Sequence, residues 1–201
     1  MKMLKNNSKT LTPTLRFPEF SGEWEEKILG NVTSFFKGRG ISKEDVTENG
    51  EYECIRYGEL YTHYSEIITD IKSRTNTAIR DSFISKEDDV IIPSSGETAV
   101  DIATVSCVKK RGVLLGGDLN VLRLKNQDGN FIALYLSNYK NIDIAKLAQG
   151  NSVVHLYASH LKDPKVNLPV IEEQKKIASF LTSIDDWTEN LKKQKEAQEK
   201  Y

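Results

Sequence analysis

The sequence predicts an α+β fold in which a mixed or antiparallel sheet with short helices is followed by one long C-terminal helix. Short β-prone runs separated by turn residues recur through residues 21–160. Short helical patterns lie between them, without the regular alternation of strand and helix that is typical of nucleotide-binding folds. From Pro169 to Tyr201 neither glycine nor a further proline interrupts the chain, so this last segment is predicted to be helical.

The first elements are predicted from alternating and apolar runs bounded by turn residues. Trp24 to Phe36 predicts a short helix followed by a strand, broken at Gly30. Further strands are predicted at Glu51–Tyr57, Asp89–Pro93 and Leu119–Leu124. Two β-prone runs, Thr104–Val108 and Val113–Leu115, flank the polar segment 109–112 and predict a hairpin.

Beyond Gly129 the apolar residues adopt a helical spacing. Phe131, Leu134, Tyr135 and Tyr139 predict one helix. Ile142, Ala145 and Leu147 predict a second short helix, and Val153–Tyr157 one more strand.

The C-terminal segment carries a stripe of apolar residues at heptad spacing. Proline followed by acidic residues at 172 and 173 is typical of a first helical turn. A helix reaching Tyr201 would be about 50 Å long. Its seam residues lead to two interpretations, packing against a partner helix or packing against the chain's own domain. These residues are Ile177, Phe180, Leu181, Ile184, Trp187 and Leu191.

Composition excludes several classes of protein. The chain has 201 residues with 38% hydrophobic side chains, enough for one domain and an appendage. Its 28 basic and 29 acidic residues give a net charge of −1, which excludes a uniformly basic DNA-binding chain and a polybasic membrane binder. Residues 21–160 hold 16 basic and 20 acidic side chains, so a nucleic-acid surface there would be a local patch. Cys54 and Cys107 form no Cys-x-x-Cys pair, so we expect neither a disulfide nor a zinc site. This cysteine usage favours a cytoplasmic location.

The motifs of common enzymes are absent from the sequence. It contains no Gly-x-Gly-x-x-Gly or Walker loop, no His-x-x-x-His pair and no Gly-x-Ser-x-Gly elbow. Glu25-Glu26-Lys27 and Glu173-Gln174-Lys175 match half of a nuclease site, but no Pro-Asp dipeptide precedes either of them. We therefore expect a chain that catalyses nothing alone and holds no metal and no cofactor.

Three short stretches are basic enough to contact DNA. Arginine can bridge guanine and asparagine can bridge adenine, so Arg74 and Asn76 are suitable base readers. Clustered lysines suit phosphates, which position a protein without specifying sequence. The alternative is that these stretches are ordinary solvated loops. The predicted DNA contacts are Lys37, Arg39, Lys72, Arg74, Asn76, Thr77, Arg80, Lys109, Lys110 and Arg111.

Several strings resemble the DNA-specificity subunit of type I restriction–modification systems. The opening Arg16–Glu25, RFPEFSGEWE, and the junction Leu168–Ala178, LPVIEEQKKIA, carry most of the resemblance. Shorter blocks at Ile55–Tyr61, Pro93–Thr98 and Leu115–Asn120 add to it. The resemblance extends over roughly residues 15–195.

The resemblance implies a non-catalytic part of a larger enzyme complex. The polar residues at the start of the chain predict a flexible tail at 1–14, and the resemblance implies a target recognition domain at 15–166 and a coiled-coil spacer helix at 167–201. Such a subunit binds double-stranded DNA, docks methyltransferase subunits that use S-adenosylmethionine, and through the complex meets a nuclease-translocase subunit.

The chain departs from that family's usual pattern because it has one recognition domain and one helix where two of each are usual. This predicts a half-length form that pairs as a homodimer through the helix. The alternative is a truncated or decoy half-subunit that binds the methyltransferase and does not read DNA.

Overall fold

The fold is described from a computed structural model that covers residues 13–150 and 153–199. Strands and helices alternate irregularly, as the sequence predicts for an α+β chain. The strands are β1 Glu25–Ile28, β2 Thr33–Lys37, β3 Tyr52–Ile55, β4 Ile67–Ile68, β5 Ser73–Thr75, β6 Phe83–Ile84, β7 Asp89–Pro93, β8 Ser95–Gly96, β9 Ser106–Val108, β10 Leu114–Leu115, β11 Leu119–Leu124, β12 Val154–His155 and β13 Lys165–Leu168. The α-helices are α1 Gly129–Leu134, α2 Asn141–Ala145 and α3 Ile171–Gln198.

Two sheets organise the domain. The central sheet has the order β2-β11-β7-β9-β4 and the outer sheet the order β5-β3-β10-β6. Most neighbours run antiparallel, whereas β4 with β9 and β3 with β10 run parallel, so both sheets are mixed. Two further pairs, β1 with β13 and β8 with β12, are antiparallel. The predicted fold class is confirmed.

The central sheet separates two apolar cores, because successive side chains of a strand point to opposite faces. Val90 and Ile92 of β7 face a core that contains α1 and Ala178 of α3. Ile91, between them, faces a second core shared with Ile55 of the outer sheet. The long helix and the outer sheet therefore lie on opposite sides of the central sheet.

The prediction for Trp24–Phe36 is partly wrong. Glu25–Ile28 forms strand β1 and Leu29–Asn31 a short 3-10 turn, and no α-helix precedes β2 in this described stretch. Residues 25–28 form a strand because they pair with β13, in which Leu168 lies opposite Glu25. A partner so distant in sequence leaves no local pattern.

The predicted hairpin around Lys109–Gly112 is also wrong. Strand β9 belongs to the central sheet and β10 to the outer sheet, so the segment between them crosses from one sheet to the other. Both strands are buried, and their β propensity is satisfied by different neighbours.

The remaining strand and helix predictions are confirmed, with some ends shifted. Strands occur within Glu51–Tyr57 and Val153–Tyr157, and at the predicted positions 89–93 and 119–124. Helix α1 begins where the Asp128 carboxylate accepts the Phe131 N–H at 2.8 Å, and it continues as a π-helix over Tyr135–Tyr139.

The long helix α3 begins at Ile171 and contains 28 residues, about 42 Å at the usual rise. Its predicted last residues, 200 and 201, lie outside the described part of the chain, as does the predicted tail up to residue 12. No described helix is long and apolar enough to cross a membrane.

Candidate nucleic-acid interface

The ten predicted DNA contacts lie on the outer sheet or on segments that touch it. Residues 72–77 form β5 and its flanks, and residues 109–111 lead into β10. Lys37 ends β2 next to Gly38, whose backbone approaches Gly116 so closely that a Cβ would lie 2.0 Å from its carbonyl oxygen. Residues 72–80, Arg39, Lys110 and Arg111 thereby lie at the outer sheet, on the side of the central sheet away from α3. Lys109 turns to the other side, because its ammonium binds Asp88, which also contacts Cys107 in the core that faces α3. Lys37 lies two residues after Phe35 along β2 and shares its face, which packs against that same core.

Arg39 and Arg80 come from distant segments and meet at this surface. The Arg39 Nη2–H donates to the backbone carbonyl of Arg80 at 3.4 Å. The Arg80 side chain is 87% exposed, and its nearest acid is Asp81 at 3.5 Å. Lys37 faces Asp118 at 3.9 Å. Exposed pairs of this kind contribute little stability, so these cations can exchange their partners for phosphates at low cost.

Arg74 and Asn76 anchor a neighbouring loop. The Nε–H and Nη2–H of Arg74 donate to the carbonyls of Gly50 and Glu51, at 2.7 and 2.9 Å. The Oδ1 of Asn76 accepts the Glu51 N–H at 3.0 Å. The edge of the guanidinium formed by Nε and Nη2 is thus already engaged, and a bidentate base contact would use the other edge. Their assignment as base readers stays a prediction.

Other residues of this stretch differ in how tightly they are held. The Thr77 N–H donates to the Thr75 hydroxyl at 3.1 Å, which closes a tight turn after β5. The Lys72 backbone N–H donates to the Tyr64 hydroxyl at 2.9 Å. The exposed Lys72 ammonium makes no ion pair with any described residue, and it is therefore available to an anion.

The segment 109–111 carries two paired cations and one unpaired cation. Burial has the largest single effect on the pKa of Lys109 and lowers it, but the hydrogen bond to Asp88 and the nearby negative charges together outweigh burial and leave the pKa raised. Lys110 pairs with Glu53 at 2.7 Å, and Glu53 lies opposite Arg74 in the β3–β5 ladder. Arg111 is exposed and forms no ion pair within the described ranges. Lys72 and Arg111 are therefore exposed cations whose charge no described residue neutralises.

Sequence reasoning missed one cluster at the edge between the two sheets. Arg123 forms a bidentate pair with buried Asp89, at 2.9 and 2.7 Å. Its guanidinium carbon lies 5.0 Å from the ring centre of Phe36 and 5.6 Å from that of Phe83. Phe36 is 38% exposed and precedes Lys37, so an aromatic ring borders the basic surface. Only the strand register brings these residues together, and no sequence pattern shows it.

The apolar stripe of α3 is covered only at its beginning. Ile177 packs against the core of the domain. The next five seam residues are exposed by between 38% and 65%, and these are Phe180, Leu181, Ile184, Trp187 and Leu191. Two of them, Leu181 and Ile184, line a groove of about 650 Å³ between α3 and the helical segment 131–139, and Trp24 also lines it. Packing against the chain's own domain therefore accounts for the start of the stripe, and packing against a partner helix stays a prediction for the remainder.

The described residues contain no group of three or more histidine, cysteine or acidic side chains that could hold a metal ion. Cys54 and Cys107 are both free and buried. Burial raises the pKa of the Cys54 thiol to about 11.

Comparison with known proteins places this fold in a family. The family of the type I restriction modification DNA specificity domain matches residues 21–199. The putative MjaX specificity subunit of Methanocaldococcus jannaschii is 30% identical over 182 residues, which are 90% of this chain and 41% of that protein. The MjaVIII specificity subunit of the same organism is 27% identical over 181 residues, 90% of this chain and 39% of its own length.

Solved structures have the same fold. The S subunit of a type I restriction–modification system from M. genitalium superposes with a TM-score of 0.67 at 21% identity, covering 91% of this chain and 44% of that one. The HsdS subunit from Thermoanaerobacter tengcongensis gives 0.59 at 17% identity, with coverage of 92% and 42%. This chain spans about two fifths of the length of these relatives.

The curated relatives are named specificity subunits, which agrees with the prediction of a specificity component and not a catalytic one. The match covers the strands and the long helix alike. The chain therefore belongs to the family of type I restriction–modification DNA specificity domains.

Proposed function

We propose that this chain reads one half of a split DNA target as a non-catalytic, half-length specificity subunit. One observation carries the proposal: in a chain of this family, eight of the ten predicted contacts lie at the outer sheet, on the side of the central sheet away from α3. They are Arg39, Lys72, Arg74, Asn76, Thr77, Arg80, Lys110 and Arg111. Lys72 and Arg111 contact phosphates, because exposed cations without protein partners suit that role. Arg74 and Asn76 read bases with their remaining donors and acceptors.

The long helix supplies the assembly surface in this proposal. Its uncovered apolar residues and the adjoining groove would be covered in the assembly. Two copies pair through α3 and form a two-fold reader, so the target is a palindromic split sequence. Methyltransferase subunits dock on this dimer, and the nuclease-translocase subunit joins through the complex.

The proposal is tested by expressing the chain with the methyltransferase subunit of a type I system and mapping methylated adenines in the host DNA. We expect one split, palindromic motif that disappears when the chain is omitted. Methylation without a recurring motif would overturn the proposal. A complex that forms with the methyltransferase and methylates nothing would support the decoy alternative.

The dimer is tested separately by light scattering of the purified chain. We expect a mass of two copies at high concentration and of one copy after Trp187→Lys with Leu191→Lys, because both charges would enter the apolar seam. The control is the exposed pair Lys192→Glu with Lys193→Glu, which leaves the apolar seam unchanged. A wild-type chain that stays monomeric alone and on DNA would overturn the pairing.

A further inference from the structure

The opening segment 16–24 lies along the first turns of α3. The Phe17 and Phe180 rings pack edge to face with centres 5.6 Å apart. Glu19 pairs with Lys176 at 2.8 Å, and the Lys176 ammonium also lies 5.2 Å from the Phe17 ring centre. We call residues 16–24 the strap, because this segment follows the helix from Glu173 to Phe180.

A buried ion pair fastens the strap to the helix. The carboxylate of Glu173 is fully buried and accepts the Nε–H and Nη2–H of Arg16, both at 2.7 Å. The Trp24 Nε1–H donates to the same carboxylate at 3.4 Å. Arg16 also donates to the carbonyl of Gly22, so one guanidinium closes the strap and orients the helix. A bidentate arginine–carboxylate pair restrains direction as well as distance.

Gln174 fastens the opposite side of the same turn. Its Oε1 accepts the Asp128 N–H at 3.1 Å, and its Nε2–H groups donate to Gln127 Oε1 at 2.8 Å and to the Pro169 carbonyl at 2.9 Å. Ala178 is buried one turn further along the helix. The helix is therefore restrained over residues 171–182, and every side chain after Thr182 in its described part is exposed.

We propose that Arg16 and Glu173 are positioning residues that set the direction of α3 and thereby the number of base pairs between the two half-targets. The inference rests on the proposed function, because it needs two recognition domains joined through their helices. Neither residue touches DNA in this proposal, since both lie on the helix side of the central sheet, away from the predicted contacts at the outer sheet.

The length of the free helix converts a small change of angle into a change of spacing. Residues 183–198 extend about 24 Å beyond the restrained part. A tilt of about 10° at the base moves their end by about 4 Å, which exceeds the rise of about 3.4 Å per base pair. A loosened pair at residue 173 would thus allow half-targets one base pair closer or further apart.

The experiment measures spacing preference in the complex with the methyltransferase subunit. Plasmids carry the two half-targets separated by every spacing within three base pairs of the wild-type spacing, and sequencing records methylation of each. The variants are Glu173→Gln, which removes the charge that holds both arms of Arg16, and Arg16→Lys, which keeps the charge and loses the bidentate geometry.

The matched control is Arg56→Lys, the same substitution at another arginine that pairs with a buried glutamate, Glu59, away from the helix. We expect wild type and control to prefer one spacing. In both test variants the preference over neighbouring spacings falls about tenfold, the scale set by one charge-assisted hydrogen bond. The half-target sequences stay unchanged.

The outcomes separate the two proposals. A wild-type complex that yields no split motif refutes the proposed function. A wild-type complex with one spacing that Arg16→Lys retains in full refutes the positioning role, even if Glu173→Gln does not fold. Equal broadening in Arg56→Lys would also refute it, because loss of stability alone would then explain the effect.

Discussion

Gln174 offers the sharpest test of how the long helix is attached to the domain. Replacing it by leucine keeps a side chain of similar size at a site that is 1% exposed. The change removes three hydrogen bonds at once, namely those to the Asp128 amide, the Pro169 carbonyl and the Gln127 side chain. The two backbone groups then lack a partner, since leucine offers neither a donor nor an acceptor.

The expected cost follows from these orphaned groups. A buried polar group without a partner costs about 1–3 kcal/mol, and apolar burial of leucine offsets part of that. We therefore expect Gln174→Leu to lower the free energy of unfolding by about 2–4 kcal/mol. With a urea slope of about 2–3 kcal/mol per molar, the unfolding midpoint falls by about 1 M.

The assay is urea unfolding followed by far-ultraviolet circular dichroism, with Gln127→Ala as the control. That control removes one of the three hydrogen bonds and leaves both backbone groups paired to Gln174, so it should cost about 1 kcal/mol or less. If Gln174→Leu costs no more than Gln127→Ala, the backbone groups of Asp128 and Pro169 do not depend on Gln174 and the reasoning is refuted.

Three further predictions concern the DNA surface, the thiols and the strap. Arg74→Ala should weaken DNA binding by about 1–3 kcal/mol and relax the base preference at one target position. Lys72→Ala should weaken binding to all sequences equally. If both variants lose the same affinity for every sequence, Arg74 is a phosphate contact. Neither thiol should react with a disulfide reagent at pH 8 in the native protein, because both are buried and the pKa of Cys54 is about 11, and both should react in urea; rapid native labelling would contradict their burial. The hydrogen bond from Lys176, and after it that from the backbone amide, lowers the pKa of Glu19 in the folded state. The ionised Glu19 side chain therefore stabilises the fold above pH 4.5, the pKa in the unfolded chain. This stabilisation is lost as the pH falls through the lower pKa of the folded state. The difference in unfolding free energy between wild type and Glu19→Gln should therefore shrink on acidification, and a constant difference from pH 7 to pH 3 would show that the pair does not act.

Strands buried on both faces are the elements that the sequence predicts best. Asp89–Pro93 and Leu119–Leu124 are central in their sheet and nearly continuous in apolar residues. Strand β1 has the opposite character, because Glu25–Ile28 is mostly exposed and owes its conformation to pairing with β13. Its polar sequence is compatible with a helix, and only the distant partner selects the strand.

In the candidate site, too, the sequence shows which residue types are present but not which residues contact each other. The basic residues can be found in the sequence because arginine and lysine are visible there. Their partners cannot be found, since Asp88 is 21 residues from Lys109 and Glu53 is 57 residues from Lys110. Which cations remain available to DNA depends on these pairs, and the sheet topology decides them.

The strings that resemble the family most are engaged inside the fold. Arg16 and Glu173, from the two most specific strings, bind each other. In the shorter block at 55–61, buried Glu59 accepts the Arg56 N–H at 2.8 Å and its Nη2–H at 3.3 Å. These side chains are occupied by protein partners, so their physical role is to build the domain and attach the helix.

In the proposed function, target sequence and target spacing are carried by different parts of this chain. Lys72 and Arg111 share no partner with Arg16 or Glu173, and the central sheet lies between the two sets. Substitutions without shared partners add in free energy. A double variant of Arg111→Ala and Arg16→Lys should then show the affinity loss of the first and the broadened spacing of the second without interaction. A significant coupling between them would mean that the direction of α3 is transmitted through the central sheet to the DNA surface.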